Sequence, residues 1–246
     1  MKKFIIFLIT VLVLCSSNLF AVDTIQSSKP TYFITGDNQN QTKFQINIDF
    51  ALIYPFETGL FLSYTQLAKW NIYDQSSPFK DINHNPSIFW QKKNLGYFDF
   101  IRIIPYSHKS NGRDGDASRG IDRYFVEAQI SYNIFSFMNI GMREKAGGFY
   151  AISNKNHDIK RYIGYFETEG FIQVKDKLGY FEHERLYIKG EWTHKFYWLE
   201  CGLTIRIFSD KIRPDFYIQW YKGYGEFLLD YNKYSDAVRV GIIFNI

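Results

Sequence analysis

The sequence predicts an all-β protein, a twelve-stranded antiparallel transmembrane β-barrel, and three observations carry that expectation. The chain starts as an exported one does, with Lys2 and Lys3 ahead of an apolar run over 4–14 that is too short to cross a bilayer. Aromatic residues make up 20% of the 246, well above ordinary soluble usage, and Gly and Asn punctuate the whole chain. Segment after segment alternates apolar and polar residues with period two, and beyond the leader no apolar stretch is long enough for a membrane helix. In a membrane barrel such strands turn one row to lipid and the other to the interior.

Residues 1–21 read as a signal peptide, with cleavage placed after the small Ala21, and 22–246 as the barrel domain. Cys15 follows an apolar run as in a lipoprotein leader, but the bulky Leu14 before it argues against that processing. Losing the leader removes two lysines and lowers the formal charge from +4 to about +2, which excludes a nucleic-acid partner. Only Cys201 then remains, so no intramolecular disulfide can form.

Taken in order, a short strand is expected near 30–36. Over 43–52, Phe44, Ile46, Ile48, Phe50 and Leu52 oppose Lys43, Gln45, Asn47 and Asp49. After a turn at Pro55, Leu60, Leu62, Tyr64 and Gln66 share a row opposite Gly59, Phe61, Ser63 and Thr65; Gln66 is an amide in an apolar row. A polar loop over 71–85, carrying Ser76-Ser77-Pro78-Phe79, leads to a strand at 86–92, and a tight turn at 94–96 leads to another at 97–110. That last strand alternates poorly. Arg102 shares the row of Phe98, Phe100, Ile104, Tyr106, His108 and Ser110, while Ile101 and Ile103 fall on the other. The next strand sets Asp122, Tyr124, Val126, Ala128 and Ile130 against Arg123, Phe125, Glu127, Gln129 and Ser131, so its apolar row begins with an acid. Further strands are expected near 138–151, 159–174, 180–193, 197–208, 213–222 and 237–246. The count is twelve, and an even number brings both chain ends to one side of a membrane. A two-sheet sandwich alternates in the same way, so periodicity alone leaves a soluble β-sandwich open.

The chemistry gathers in 106–123. In a strand, residues i and i+2 face the same way, so His108 and Ser110 place a base beside a nucleophile. If the Gly/Asp/Ser/Arg loop that follows folds back as an antiparallel connection, Asp122 can reach the other ring nitrogen and complete a Ser/His/acid arrangement. The remaining histidines have no metal-ligand spacing and read as bystanders: His84 in the polar loop, His157 beside Asp158, His183 between two glutamates, and His194.

His108-x-Ser110-Asn111-Gly112-Arg113, followed by Ser118-Arg119 and an acid at Asp122, resembles the signature of the outer-membrane phospholipase A family. Further islands resemble it in the same order: Ser63-Tyr64-Thr65-Gln66, Ser76-Ser77-Pro78-Phe79, Pro214-Asp215-Phe216-Tyr217, Tyr221-x-Gly223-Tyr224-Gly225-Glu226 and Asp230-Tyr231-Asn232. The resemblance implies a barrel of the cell outer membrane with its catalytic site on the outside wall, near the outer leaflet. It implies calcium-dependent hydrolysis of phospholipid acyl esters, at sn-1 and possibly sn-2 and in lysophospholipids, by a reversible homodimer active in its dimeric form. Carried over residue by residue, it makes Ser110 the nucleophile, His108 the base, Asp122 the orienting acid and Gly112 an oxyanion donor. Ca2+ is then held by the Arg113 carbonyl and Ser118, with Ser76 supplied by the partner subunit, and Gln66 lies at the dimer interface. Two departures stand out. Asp122 replaces the family's usual asparagine, and a second calcium-binding loop falls near Lys155, where no carboxylate is present. The competing functions are a lipid A deacylase type of barrel and a non-catalytic channel or adhesin.

Overall fold

The structure, a computed structural model, describes residues 25–36, 42–53, 58–175, 182–193, 195–206 and 214–244, so the leader 1–21 lies outside the described residues. Period-two alternation becomes twelve strands: β1 (Thr31–Thr35), β2 (Thr42–Ile53), β3 (Thr58–Trp70), β4 (Phe79–Leu95), β5 (Phe98–Ser110), β6 (Gly120–Phe135), β7 (Met138–Ile152), β8 (Phe166–Lys175), β9 (Glu182–Trp192), β10 (Tyr197–Ile205), β11 (Asp215–Gly223) and β12 (Ser235–Phe244). Each pairs antiparallel with its chain neighbour. The β12–β1 ladder, with Ile242 opposite Phe33, closes the cylinder and leaves no free edge. A two-residue piece, Ile25–Gln26, pairs with β2 on the same side as β1 and continues that strand. Between the two pieces, Ser27 Oγ and the backbone N–H groups of Ser28 and Lys29 donate to Asn47 Oδ1 at 3.0, 2.9 and 3.0 Å.

The rows sort as a membrane barrel requires. Leu62, Ile103, Val126, Ile140, Leu186, Ile188 and Val238 are exposed on the outer wall. Buried inside are Lys43, Arg102, Glu127, Glu169, Glu191, Glu200, Gln219 and Arg239. A soluble sandwich would show the reverse, with apolar rows meeting each other. Charges in a lumen must be paired. Arg102 meets Glu127 at 2.9 Å, Lys189 meets Glu200 at 2.9 Å, and Glu169 is clasped by both Arg143 and Arg185.

Short turns at 96–97 and 136–137 close one end, and the longer segments 71–78, 111–119, 153–165 and 224–234 the other. Outer-membrane barrels keep short turns toward the periplasm and long loops outside, which orients the cylinder. Exposed Tyr97, Tyr132 and Phe135 at the short-turn end, and Tyr150, Phe166 and Trp192 at the long-loop end, form the two aromatic girdles. The long loops pack over the mouth: Ile121, Ile159, Ile163, Leu228 and Tyr231 form a buried cluster, and Tyr231 Oη donates to Asp158.

Two strand starts differ from the periodicity reading. β4 begins at Phe79 rather than Pro86, because Asp81 and Asn83 are an inward, hydrophilic row that looks like loop in sequence. β8 begins at Phe166 rather than 159, because Ile159–Arg161 coils into a 3₁₀ turn whose Ile159 is drawn into the mouth cluster.

Candidate active site

The poor alternation of β5 has a local cause. Ile104 pairs with Phe125 and Ser107 with Arg123, so one extra residue is accommodated on β5 between them; the β4 side shifts at the same place, with Trp90 opposite Ile103 and Ile88 opposite Tyr106. The bulge contains Pro105, whose missing N–H suits a break in the ladder. Before it, Arg102 and Ile104 face inward; after it, Ser107 and Lys109 do. His108 and Ser110 are thereby turned to the outer wall together with Tyr106, and the row that sequence alone joined to Arg102 and Ile104 is cut in two. On β6 the alternation is unbroken: Ile121, Arg123, Phe125 and Glu127 line the lumen, and Asp122, Tyr124 and Val126 face out.

His108 and Asp122 are directly opposed across β5 and β6. Their side chains meet, His108 Nδ1 to Asp122 Oδ1, at 2.6 Å. The phenol of Tyr106 donates to that same carboxylate oxygen at 3.0 Å. An Asp Oδ1 engaged at Nδ1 fixes the imidazole so that Nε2 is the nitrogen left to exchange a proton with a hydroxyl. Ser110 stands two residues along the same row, though among the described residues its Oγ makes no hydrogen bond to His108. Such contacts commonly tighten only on substrate binding. Tyr106 went unremarked in the sequence reading as an active group; its place in the same row, two residues before His108, was the available signal.

The loop after Ser110 is organised by a buried amide. Asn111 Oδ1 accepts the N–H of Arg119 at 2.9 Å and of Arg113 at 3.4 Å, and Asn111 Nδ2 donates to the Ala117 carbonyl at 2.9 Å. Gly112, at φ +61°, holds a backbone conformation that side chains disfavour. Arg113 reaches back and donates to the Lys80 carbonyl on β4. The far end is clasped by the fully buried Asn156, whose amide both donates to and accepts from the Gly120 backbone at 3.1 Å.

Among the described residues no three His, Cys, Asp or Glu side chains converge, so a metal ion here would depend on carbonyl, hydroxyl and water oxygens. The loop offers these. The Arg113 carbonyl and Ser118 Oγ accept no hydrogen bond among the described residues, and hard oxygens of that kind suit calcium. Ser76 lies in the neighbouring 71–78 loop, exposed and at φ +63°. Where the sequence lacks an acid, Lys155 Nζ meets Asp116 Oδ1 at 2.6 Å, and this ammonium holds the Asp116 carboxyl below its usual range.

Gln66 faces outward on β3 as expected. Its Oε1 accepts from Tyr64 Oη at 3.3 Å, while its Nε2 makes no hydrogen bond among the described residues. The bystander reading of His84 is overturned in one respect: it is not in a loop. It sits on β4 as the Cα partner of both Gln66 and Ser110, its Nδ1 2.6 Å from Tyr64 Oη.

A closed cylinder with charges inside, apolar residues outside, and an acid–imidazole pair beside a serine on the lipid side is an enzyme of the outer-membrane β-barrel class. A family model described as Phospholipase A1 matches residues 7–244. The chain is 30% identical over 226 residues to the phospholipase A1 of Escherichia coli K12, covering 84% of this chain and 70% of that protein. It is 29% identical over 227 residues to that of Proteus vulgaris, covering 85% and 71%. Among solved structures the fold is similar to outer membrane phospholipase A from Escherichia coli, with TM-score 0.75, 24% identity and coverage of 93% of this chain and 95% of that one. It is equally similar, at TM-score 0.75, 23% identity and coverage of 95% and 96%, to a Salmonella typhi outer membrane phospholipase dimer with bound calcium. The chain belongs to the phospholipase A1 family and is a β-barrel of the outer membrane.

Proposed function

We propose that this protein hydrolyses acyl ester bonds of glycerophospholipids that reach the outer leaflet, at sn-1 and in some substrates sn-2, through Ser110, His108 and Asp122. The observation that carries this is the 2.6 Å contact of His108 Nδ1 with Asp122 Oδ1 on the wall that faces lipid, in the same row as Ser110. A lipid lying along that wall brings its ester to Ser110 without leaving the membrane. Ser110 Oγ attacks the carbonyl carbon as His108 Nε2 takes its proton, and the oxyanion so formed is met by the Gly112 N–H. Collapse breaks the ester bond, and His108 returns the proton to the glycerol oxygen, releasing lysophospholipid. Water then attacks the acyl-serine, giving its proton to His108, and fatty acid leaves as Ser110 is restored.

Asp122 accepts a hydrogen bond from His108 Nδ1–H and stabilises the imidazolium at each transfer. A carboxylate does this at least as well as the amide usual in the family, and the Tyr106 phenol shares its charge. Calcium would be held by the Arg113 carbonyl, Ser118 and Ser76 of the partner subunit, and would supply positive charge that favours the oxyanion. A homodimer seam at Gln66 is supported by the unengaged amide nitrogen on an apolar wall, where an unpaired polar group is costly. Residues 1–21 serve as the export signal.

The test is Ser110→Ala, purified in detergent and assayed on phosphatidylethanolamine with calcium. Turnover is expected to fall by at least about 10³-fold, with the barrel still heat-modifiable on gels. Unchanged release of fatty acid would overturn the reading, and release of acyl chains from lipid A but not from phospholipid would assign the site to a deacylase instead.

A further inference from the structure

We infer that Lys160, Arg161 and Lys195 form a binding site for the headgroup of an outer-leaflet lipid that carries two phosphate groups. The three cations come from two turns at the long-loop end of the barrel. Lys160 and Arg161 belong to the 3₁₀ turn Ile159–Arg161 ahead of β8, and Lys195 to the connection 193–196 between β9 and β10. All three are exposed, and none forms an ion pair or a side-chain hydrogen bond among the described residues. The acid nearest in sequence, Asp158, accepts from Tyr231 Oη at the mouth. Lys222, the next cation round the wall on β11, differs in having Asp236 at 3.8 Å.

Thr193 joins the two turns. Its hydroxyl donates to the Arg161 carbonyl at 2.6 Å and accepts the N–H groups of Phe196 at 3.0 Å and Lys195 at 3.4 Å. The Phe196 carbonyl, 2.9 Å from the same hydroxyl, already accepts the Thr193 N–H at 2.8 Å. One oxygen thus holds the backbones of Arg161 and Lys195 together. Rings lock the same junction: Tyr162 stacks on Phe196 with centroids 4.3 Å apart and meets the edge of Tyr231 at 5.4 Å. Turns fixed in this way keep their charges in one place, and like charges gathered without an acid repel one another. A counter-charge brought by a ligand removes that repulsion.

The position selects the ligand. At the same end of the cylinder, Phe166, Trp192 and Tyr197 are exposed on three adjacent strands, Trp192 paired with Tyr197, and farther along the outer wall Ile172, Leu186 and Ile188 are exposed. A lipid lying there sets its chains on the aliphatic rows, its sugar or glycerol at the aromatic belt and its phosphates at the three cations. A zwitterionic phospholipid brings one phosphate that its own amine already balances. Three cations without an acid match a headgroup with at least two negative charges, the class of the diphosphorylated glycolipids. The patch belongs to the β8–β10 side of the barrel, whereas Ser110 and Asp122 lie on β5 and β6. Its occupant is therefore a second lipid and not the one presented to Ser110.

The test is retention of lipid by the full-length protein in a zwitterionic detergent, read by native mass spectrometry with diphosphoryl lipid A, monophosphoryl lipid A or phosphatidylethanolamine. One diphosphoryl lipid A should be held per barrel, about tenfold more tightly than the monophosphoryl form. Each Lys or Arg beside an anionic headgroup strengthens binding about fivefold, so the triple variant Lys160→Gln, Arg161→Gln, Lys195→Gln should bind about 100-fold more weakly and remain heat-modifiable. Thr193→Val keeps every charge but removes the hydroxyl between the turns, and should weaken binding about tenfold through lost preorganisation. The site stands apart from the role of Ser110, so Ser110→Ala should bind as wild type does. Undiminished binding by the triple variant overturns the assignment, and so does equal binding of phosphatidylethanolamine. Wild-type affinity in Thr193→Val would reduce the three cations to unorganised surface charge, and weaker binding by Ser110→Ala would place the lipid on the catalytic wall; either result overturns the site. Where the triple variant fails to fold, Thr193→Val and the single Lys195→Gln, expected to lose about fivefold, decide.

Discussion

Tyr106 and Asp122 form the least expected pair in the site. A carboxylate on a lipid-facing wall carries a desolvation cost that an amide does not, and a phenol donating at 3.0 Å to the oxygen that already accepts from His108 offsets part of it. The phenol competes for that oxygen but also fixes its direction, so the Asp122 carboxylate cannot swing away from the imidazole. Tyr106→Phe should therefore lower kcat by about tenfold, the low end for a hydrogen bond to a charged group because Tyr106 is half exposed, with KM little changed. Asp122→Asn keeps an oxygen for His108 and should remain active. In that background Tyr106→Phe should matter less, since no charge is left to share. A full tenfold loss in the asparagine background would show that Tyr106 serves the substrate rather than Asp122.

Two elements decide whether these side chains meet: the β5 bulge and the 111–119 loop. The twelve strands were legible from alternation, as were the outward faces of β3 and β6, because a closed barrel imposes period two with few exceptions. The face of His108 and Ser110 was not legible from β5 itself. Arg102 and Ile104 point to the lumen and His108 to lipid, and only pairing with both neighbours reveals the residue inserted between them. The start of β4 was missed for a related reason, since a strand whose inner row is Asp81 and Asn83 lacks the hydrophobic signature on that side. That error put His84 in a loop and hid its place directly across from Ser110. The loop itself depends on Asn111, a member of the sequence motif to which no role of its own was attached. Asn111→Ala leaves the Arg119 N–H and the Ala117 carbonyl without their partner, at a cost of about 1–3 kcal/mol each where buried. The opening is confined to the loop, so limited proteolysis at 111–119 should accelerate and kcat should fall at least tenfold, while the temperature of barrel unfolding stays nearly unchanged. Equal loss of barrel stability would mean that the loop is part of the cylinder's cooperative unit.

The cylinder as a whole is held from inside by charge. Glu226, carried in the 224–234 loop, reaches Lys43 at 3.1 Å on β2 and Arg239 at 2.7 Å on β12, and accepts from Ser235 Oγ at 3.1 Å. It ties the mouth loop to strands on both sides of the β1 closure. Burial by itself pushes the Glu226 carboxyl up, but Lys43 and Arg239 together outweigh it and hold the group at about 2, against 4.5 for an ordinary glutamate. A folded-state pKa below the unfolded one means that the unfolded chain binds the proton first as pH falls. The stabilisation from this group is therefore complete above about 4.5 and drains away as pH drops toward about 2. Glu226→Gln removes the charge and leaves Lys43 and Arg239 facing each other across the closure. Its unfolding temperature, read from the heat-dependent shift in gel mobility, should lie clearly below wild type at pH 7, keep that gap down to about pH 5, and converge with wild type between about 4.5 and about 2. A gap that stays constant to the acid end would assign the loss to packing at the mouth rather than to the carboxylate's charge, and the closure would then be held by the ladder between β12 and β1 alone.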